Sequence, residues 1–275
     1  MKPAAFDYVR AESIEEALDM LRQEGADARV LAGGQTLIPM LNMRLAKPRV
    51  VIDIMHLPEL KRIERSGGAI RVGAAVRQRD LERQADLAAQ QPLLAAALRW
   101  IGHAQTRNRG TVCGSVAHAD PSAELPLVLL ALGGEIDLRS RRRTRRVAAA
   151  AFFAGMMSTD RKDDELVEAV RFPVARSGTG YAFREIARRH GDFAIVSCAA
   201  VVDAQGARLA VGGVADRPVA RTLPRPGDPA LEDALDAFAW DLDARDDLHA
   251  TAIYRRQLVR RLGRQTLEEA ARCRA

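Results

Sequence analysis

The alternation of apolar and polar positions divides the chain into short strands and helices. Ser13 and Glu16 have the spacing of a capping box, which predicts a helix over 13–23. Short apolar runs predict strands at 28–31, 49–54, 69–76, 135–140 and 165–173. Alanine-rich polar patterns predict helices over 77–101, and an apolar run opened by Pro121 predicts a helix over 121–132.

The pattern changes in the second half of the chain. Residues 107–125 show no clean period, which predicts a long structured loop, and a shift in composition at 172–180 indicates a domain boundary. Three strand candidates follow, at 181–187, 193–202 and 207–214, and the pattern turns helical after the proline-rich segment 223–229. We therefore expect an α+β fold with an antiparallel sheet and terminal helices in the second half.

Composition narrows the class of protein. The 275 residues are 48% hydrophobic and 28% charged, which is typical of a soluble globular protein, and no apolar run is long enough to span a membrane. The start of the sequence lacks the apolar segment of a secretory signal, so we expect a cytoplasmic protein. The three cysteines are far apart and form no CxxC motif, which disfavours disulfides, a zinc site or a cluster held by this chain.

Much of the net charge of +6 falls in the run RSRRRTRR at 139–146. Three interpretations fit this run: a solvated loop, a docking surface for an acidic partner, or a nucleic-acid contact. Proteins that bind single strands place aromatic residues among their basic ones, but this run contains none and aromatics are only 4% of the chain. We therefore expect no nucleic-acid partner.

Two small-residue segments are candidates for phosphate binding. Gly33 and Gly34 follow a predicted strand and precede the helix-compatible run 37–44, while residues 111–115 form a second segment with hydroxyls at both ends. Glycine-rich turns that lead into helices meet phosphate with backbone N–H groups. Each segment alone also fits an ordinary tight turn. Neither GxGxxG nor GxxxxGK[ST] occurs in the chain, so a Rossmann or P-loop site is not supported.

The segments LAGGQTLIPMLNMRLAKPRVVIDI and TRNRGTVCGSVAHADPSAELPLVLLALGGEI closely resemble the FAD-binding medium subunit of molybdenum hydroxylases, the carbon monoxide dehydrogenase and xanthine dehydrogenase family. GYAFREIARRHGDFAIVSCAA resembles a third stretch of that family, and the likeness covers nearly the whole chain. It implies a PCMH/VAO-type FAD-binding domain of two α/β subdomains at 1–174. A C-terminal domain of the carbon monoxide dehydrogenase flavoprotein type, with a three-stranded antiparallel sheet and helices, would follow at 175–275.

The resemblance also assigns the residues that bind FAD. They are Ala32, Gly33, Gly34, Gln35 and Thr36 in a first loop, Thr111, Val112, Cys113, Gly114 and Ser115 in a second loop, and Glu124, Leu166 and Arg184. The two loops would hold the pyrophosphate, and Glu124 would accept hydrogen bonds from the ribityl hydroxyls as an ionised carboxylate. Arg184 would lie near the flavin ring, and Leu166 would pack on it.

One position departs from the family pattern. Cys113 stands where the family has the first glycine of its second loop. If that position needs a positive φ, cysteine strains the loop by about 1 kcal/mol. If φ is negative the change is harmless, and Gly114 supplies the flexible position.

The resemblance implies electron transfer rather than substrate chemistry. Electrons would pass from [2Fe–2S] clusters on a small subunit to this FAD and on to an external acceptor, while a large subunit would carry the molybdenum cofactor. The assembly would be a dimer of heterotrimers. We expect no catalytic residue and no metal ligand in this chain: His118 with Asp120, and His190 with Asp192, fit loop hydrogen bonding or positions near the flavin. The alternatives are a stand-alone FAD-dependent oxidoreductase and a basic interaction protein.

Overall fold

The computed structural model describes residues 2–274. Its helices are α1 Ile14–Glu24, α2 Leu37–Asn42, α3 Gln78–Glu82, α4 Leu87–Gln90, α5 Pro92–Leu98, α6 Ala104–Arg107, α7 Val112–His118, α8 Glu124–Ala131, α9 Ala149–Phe152, α10 Leu231–Asp241 and α11 Ala252–Arg272. Its strands are β1 Asp7–Arg10, β2 Ala28–Leu31, β3 Val50–Asp53, β4 Ile63–Ser66, β5 Ala69–Gly73, β6 Glu135–Arg139, β7 Thr144–Ala148, β8 Phe153–Gly155, β9 Ser158–Thr159, β10 Leu166–Pro173, β11 Gly180–Ile186, β12 Val196–Val202, β13 Ala207–Gly212 and β14 Val219–Leu223.

A small parallel sheet opens the N-terminal part of the chain, residues 2–174. Its strand order is β1-β3-β2, and β3 pairs in parallel with both neighbours. The predicted helix α1 begins at the predicted cap, because the Glu16 amide donates to Ser13 Oγ at 3.0 Å. The buried face of α1, which includes Leu18 and Leu21, lies in the core together with Ile52 of β3.

A five-stranded antiparallel sheet forms the centre of the N-terminal part. Its order is β4-β5-β10-β6-β7, with the long strand β10 in the middle. Helix α8 is buried along its whole length, and α7 packs against β5 and β10. The predicted strands at 69–76, 135–140 and 165–173 are confirmed as β5, β6 and β10.

The C-terminal part, residues 175–274, is built on a four-stranded antiparallel sheet in the order β11-β12-β13-β14. The sequence predicts three strands for this sheet, whereas the structure has four, because β14 was not predicted. One face of the sheet, including Phe183 and Ala199, packs on the N-terminal core. The opposite face, including Cys198 and Leu209, packs with α10 and α11 in a second core.

Two boundaries in the N-terminal part differ from the prediction. The segment 107–125 is not a continuous loop, because α7 occupies its centre with Thr111 as its N-cap. The apolar helix begins at Glu124 rather than at Pro121, since residues 121–122 form a turn in which the Ser122 amide donates to Asp120 Oδ1 at 2.8 Å.

The arginine run 139–146 is also not a solvated loop. It contains the end of β6, a tight turn and β7. Five of its six arginines contact a carboxylate, and only Arg142 has no such contact among the described residues. Arg145, for example, bonds Glu165 at 2.7 Å, and Glu165 is only 2% exposed. The charge that suggested an acidic partner is therefore largely neutralised within the fold.

Residues 2–274 contain no helix that is both long enough and apolar enough to cross a membrane.

Candidate functional site

The first candidate loop connects β2 to α2 and leaves a row of backbone donors unused. The Ile38 amide donates to Gly34 O at 3.1 Å, which starts α2. Within residues 2–274, no protein acceptor is recorded for the five preceding amides, from Gly33 to Leu37. These residues are half-buried or exposed. Consecutive N–H groups of this kind form an anion-binding concavity, which suits a phosphate.

The second candidate loop is the N-terminal turn of α7. Thr111 Oγ1 accepts a hydrogen bond from the Gly114 amide at 3.1 Å, and the Val112 amide donates to Val76 O at 3.1 Å. Thr111 also forms an isolated antiparallel bridge with Arg77. These contacts fix the turn to the strand-to-helix connection after β5, so its position is set by the central sheet.

The structure brings the two loops into contact. A Cβ atom on Gly33 would lie 2.3 Å from Arg109 O and 2.6 Å from the Cα of Gly110. Glycine at this position therefore allows the first loop to lie directly against the backbone that leads into the second. The sequence predicts two loops that clasp one diphosphate, and their adjacency fits that arrangement.

Cys113 lies inside α7, so its backbone is helical and its φ is not positive. Its side chain is 2% exposed and Sγ donates to Val72 O at 3.3 Å. Burial raises the pKa of this thiol to about 12, so it is not a reactive thiolate. Of the two expectations for this position, the harmless one fits. The expected role of Gly114 is wrong, however, because Gly114 is helical too: a Cβ there would lie 2.6 Å from Thr111 Oγ1 and would displace the cap.

Glu124 is the first residue of α8 and is 7% exposed. Burial raises the pKa of its carboxyl group to about 7, and the negative charge of Asp120 acts in the same direction. The resemblance implies an ionised acceptor for hydroxyl groups at this position. In the structure without a ligand, Glu124 is instead divided between its neutral and ionised forms near neutral pH.

The structure places Arg184 and Leu166 in different surroundings. Alternation along β11 turns Arg184 toward α11, where its guanidinium bonds Glu269 at 2.7 Å. Leu166 is 3% exposed and belongs to the N-terminal core. Arg184 therefore lies on the face of β11 that is opposite the N-terminal part, and Leu166 is almost fully buried. Their contacts with the isoalloxazine ring stay predictions.

Sequence reasoning missed Glu185, the neighbour of Arg184. It lies on the face of β11 that packs on the N-terminal part, and it is 6% exposed. Burial raises the pKa of its carboxyl group to about 8, and the negative charge of Glu124 acts in the same direction. A period of two over 180–186 places Glu185 on the same face as Phe183, and that alternation was the available signal.

Two of the remaining polar candidates, Asp120 and His190, have structural partners. Asp120 caps the turn at Ser122, and the ring of His190 stacks on Trp100 with centroids 5.3 Å apart. Tyr181 Oη accepts a hydrogen bond from the Arg176 amide at 3.1 Å. No group of three or more His, Cys, Asp or Glu residues with the arrangement of a metal site occurs in the part of the chain that the structure describes.

Comparison with known proteins agrees with this geometry. Residues 4–175 match the family described as "FAD binding domain in molybdopterin dehydrogenase". The chain is 38% identical to the 6-hydroxypseudooxynicotine dehydrogenase complex subunit alpha of Paenarthrobacter nicotinovorans, over 98% of this chain and 96% of that one. It is 33% identical to the carbon monoxide dehydrogenase medium chain of Hydrogenophaga pseudoflava, over 99% and 100%. The structure superposes on a chain of reconstituted CO dehydrogenase from Oligotropha carboxidovorans with a TM-score of 0.93, 31% identity and full coverage of both chains.

Proposed function

Since the chain belongs to the family of FAD-binding subunits of molybdenum hydroxylases, we propose that it carries electrons from [2Fe–2S] clusters on a partner subunit, through FAD, to an external acceptor. It is the flavoprotein component of an oxidoreductase, and FAD is its cofactor. When bound, FAD supplies the capacity to exchange electrons singly or in pairs. The work of this chain is to bind and orient that group.

The unused amides of the first loop carry the proposal. Five consecutive N–H groups, from Gly33 to Leu37, point to no protein acceptor among the described residues, and Gly33 places them against the backbone before Thr111. A pyrophosphate is the part of FAD that such donors suit, because each phosphate carries negative charge and several acceptor oxygens. The residues of the two loops, 32–36 and 111–115, would hold it together.

Glu124 would then orient the sugar-like part of the cofactor. Its carboxyl group lies at the start of α8, close to Asp120 and buried from solvent. A hydroxyl donor from the cofactor favours the ionised carboxylate, so binding would lower the pKa of Glu124 from its value of about 7. The domain boundary that we propose, between 174 and 175, lies at the end of the matched family region.

The partners are proposed from the names of similar proteins. Relatives that the chain matches over nearly their full length are a "complex subunit alpha" and a "medium chain", which are names for parts of larger enzymes. We propose a large molybdopterin-binding subunit and a small [2Fe–2S] subunit as partners, a dimer of heterotrimers as the assembly, and the cytoplasm as its location.

Purification of the complex tests the proposal. The chain is tagged in its native cells, and the co-purifying subunits, metals and acid-released flavin are identified. We expect FAD rather than FMN, in near one-to-one amount with the chain, together with subunits that contain molybdenum and iron. In the complex, dithionite-reduced clusters should lose their electron paramagnetic signal on addition of a quinone only when flavin is present.

Two results would contradict the proposal. A yellow chain that purifies alone and oxidises a substrate without partners would be a stand-alone FAD-dependent oxidoreductase. A complex whose clusters are reoxidised equally fast after its flavin has been removed would show that electrons do not leave through this chain.

A further inference from the structure

The face that the C-terminal sheet presents to the N-terminal part carries a buried polar cluster. Glu185 of β11 pairs directly with Ser197 of β12, so the two side chains are neighbours on that face. Gly212 of β13 lies beside them, and a Cβ there would be 2.8 Å from Ser197 Oγ, 3.2 Å from Pro121 O and 3.5 Å from Leu127 Cδ2. The cluster therefore lies between the sheet, α8 and the turn that precedes Glu124.

The polar atoms of this cluster have no partners. Both carboxyl oxygens of Glu185 and the hydroxyl oxygen of Ser197 are buried and make no hydrogen bond to any described residue. Glu185 is 6% exposed and Ser197 is 0% exposed. An ionised carboxylate without donors or solvent is strongly disfavoured, whereas a neutral acid is tolerated far better.

The charged neighbours of Glu185 are acidic. Glu124 of α8 is the charged group that acts on Glu185, and Asp120 acts in turn on Glu124. Helix α5 also packs against β11, and its sequence PLLAAAL has no charged side chain. Helix α11 packs on the opposite face, where Glu269 is bonded to Arg184. Burial, and then the charge of Glu124, raise the pKa of Glu185 to about 8.

We propose that Glu185 is a positioning residue of the cofactor site: as a neutral acid, it allows the C-terminal sheet to stay packed on α8 and on the turn before it, and so fixes the position of Glu124. The part of this inference that concerns the cofactor rests on the proposed function. Ionisation of Glu185 would place a second negative charge next to Glu124 inside a dry interface. The sheet would then move away from α8, and Glu124 would lose its support.

The sign of the pH dependence follows from linkage. The pKa of Glu185 is raised from about 4.5 in the unfolded chain to about 8 in the fold, so the fold binds a proton that the unfolded chain releases. The free energy of unfolding of the wild type, relative to that of Glu185→Gln, is therefore greatest below pH 4.5 and falls as the pH rises to about 8. Glutamine is the matched control because it keeps the shape of the neutral acid and cannot ionise.

The first measurement is thermal unfolding of the flavin-free full chain from pH 5 to 9.5, for the wild type and for Glu185→Gln. As the pH rises to about 8, we expect the unfolding temperature of the wild type to fall relative to that of Glu185→Gln. Above pH 8 the difference between the two unfolding temperatures should stay constant. A constant difference, or one that changes in the opposite direction, would overturn the proposal. In Glu124→Gln, the pH at which the unfolding temperature stops falling should be lower, because this substitution removes a charge that raises the pKa of Glu185. That shift also serves as the readout if Glu185→Gln does not fold.

The second measurement is the FAD dissociation constant, from flavin fluorescence, across the same pH range. Above pH 8 we expect it to rise about tenfold per pH unit in the wild type and to stay nearly constant in Glu185→Gln. Equal pH profiles in the two proteins would overturn the positioning role. A wild type that binds no FAD at any pH would instead contradict the proposed function, and the unfolding measurement would still decide whether Glu185 is a neutral buried acid.

Discussion

At the scale of single residues, Gly33 and Gly34 are neighbours that serve different needs. Position 33 requires a glycine because the backbone oxygen of Arg109 lies where a Cβ atom would be. Gly34 has φ +71, a left-handed conformation that costs other residues about 1–2 kcal/mol. The sequence predicts both glycines as part of a phosphate loop, but it could not separate these reasons, because the close approach is made by a segment more than seventy positions away.

We expect Gly34→Val to weaken FAD binding by about a hundredfold or more, because it disturbs the donors that would meet the pyrophosphate and two charge-assisted hydrogen bonds are worth about 3–6 kcal/mol. Titration with FAD measures this. Gly178→Val is the matched control, since Gly178 also has φ +71 and has open space around it. The control should lose the stability that the left-handed conformation costs a valine, and it should keep its flavin. Equal flavin loss in both variants would show that strain alone, rather than the first loop, explains the effect.

Cys113→Gly should change stability more than cofactor affinity. Cys113 is helical and buried, and its Sγ bonds Val72 O, so a glycine there removes packing and adds flexibility inside α7. We expect a loss of about 1–2 kcal/mol in the free energy of unfolding and an FAD dissociation constant within a few-fold of the wild type. Urea denaturation and FAD titration measure the two quantities. A clear gain in FAD affinity would show that cysteine strains the loop.

At the scale of elements, the sequence predicts best where one period dominates. The capping box of α1 and the apolar runs of β2, β3 and β10 identify their elements almost to the residue. The short helix α7 has no such period, since its buried positions Val112, Cys113 and Val116 do not span two turns. Its clearest signal is the cap at Thr111, which a prediction based on periodicity overlooks.

Strand β7 was missed for a different reason. Its sequence TRRVA is rich in arginine, so local preference argues for a loop. The strand forms because acidic side chains on neighbouring strands and turns neutralise its arginines: Glu165 bonds Arg145, and Asp137 bonds Arg146. Asp137 is the cross-strand neighbour of Arg146 on β6, and Glu165 lies just before β10, so only the folded sheet brings these partners together. The orientation of Arg184 could not be predicted either, because its partner Glu269 lies on the last helix.

The contribution of such ion pairs to the stability of the central sheet can be measured by substituting Asp137. It is 5% exposed and accepts hydrogen bonds from Arg71, Arg146 and Arg171. Asp137→Ala would leave these guanidinium groups without their shared partner, so we expect a loss of about 3 kcal/mol or more in the free energy of unfolding. Urea denaturation measures it. Asp19→Ala, which breaks the surface pairs with Arg22 and Arg141, should cost about 1 kcal/mol or less. Similar losses would contradict a structural role for the network.

At the scale of the whole molecule, the C-terminal sheet joins two cores. Its odd-numbered β11 and β12 positions, such as Phe183 and Ala199, belong to the N-terminal core, and their even-numbered neighbours belong to the C-terminal one. The sequence predicts the strands but not this division, because both faces are apolar and alternation gives no sign of which core each face joins. The polar residues Glu185 and Ser197 are the exceptions on the inner face.

Arg255 ties the C-terminal helix to the segments that flank β12 and β13. It is 5% exposed, and its guanidinium donates to Ile195 O before β12, to Gly213 O after β13 and to Asp247. The amide of Gly213 in turn donates to Pro121 O at 2.8 Å, in the turn that leads to Glu124. A single side chain on α11 thus supports a chain of contacts that reaches the candidate cofactor site.

We therefore expect Arg255→Ala to destabilise the molecule by about 3–5 kcal/mol, because it leaves a buried carbonyl group of Ile195 and a half-buried one of Gly213 without this donor. Hydrogen exchange should quicken at Gly213 and in residues 122–124. Amides of the parallel sheet around Val51 should exchange more slowly than these and change least, since they belong to a different sheet from those that Arg255 contacts. Arg260→Ala, which breaks only an exposed pair with Asp236, is the control and should leave exchange nearly unchanged. If Arg255→Ala quickens exchange only within α11 and β12, the contacts of Arg255 end in the C-terminal core and do not support Glu124.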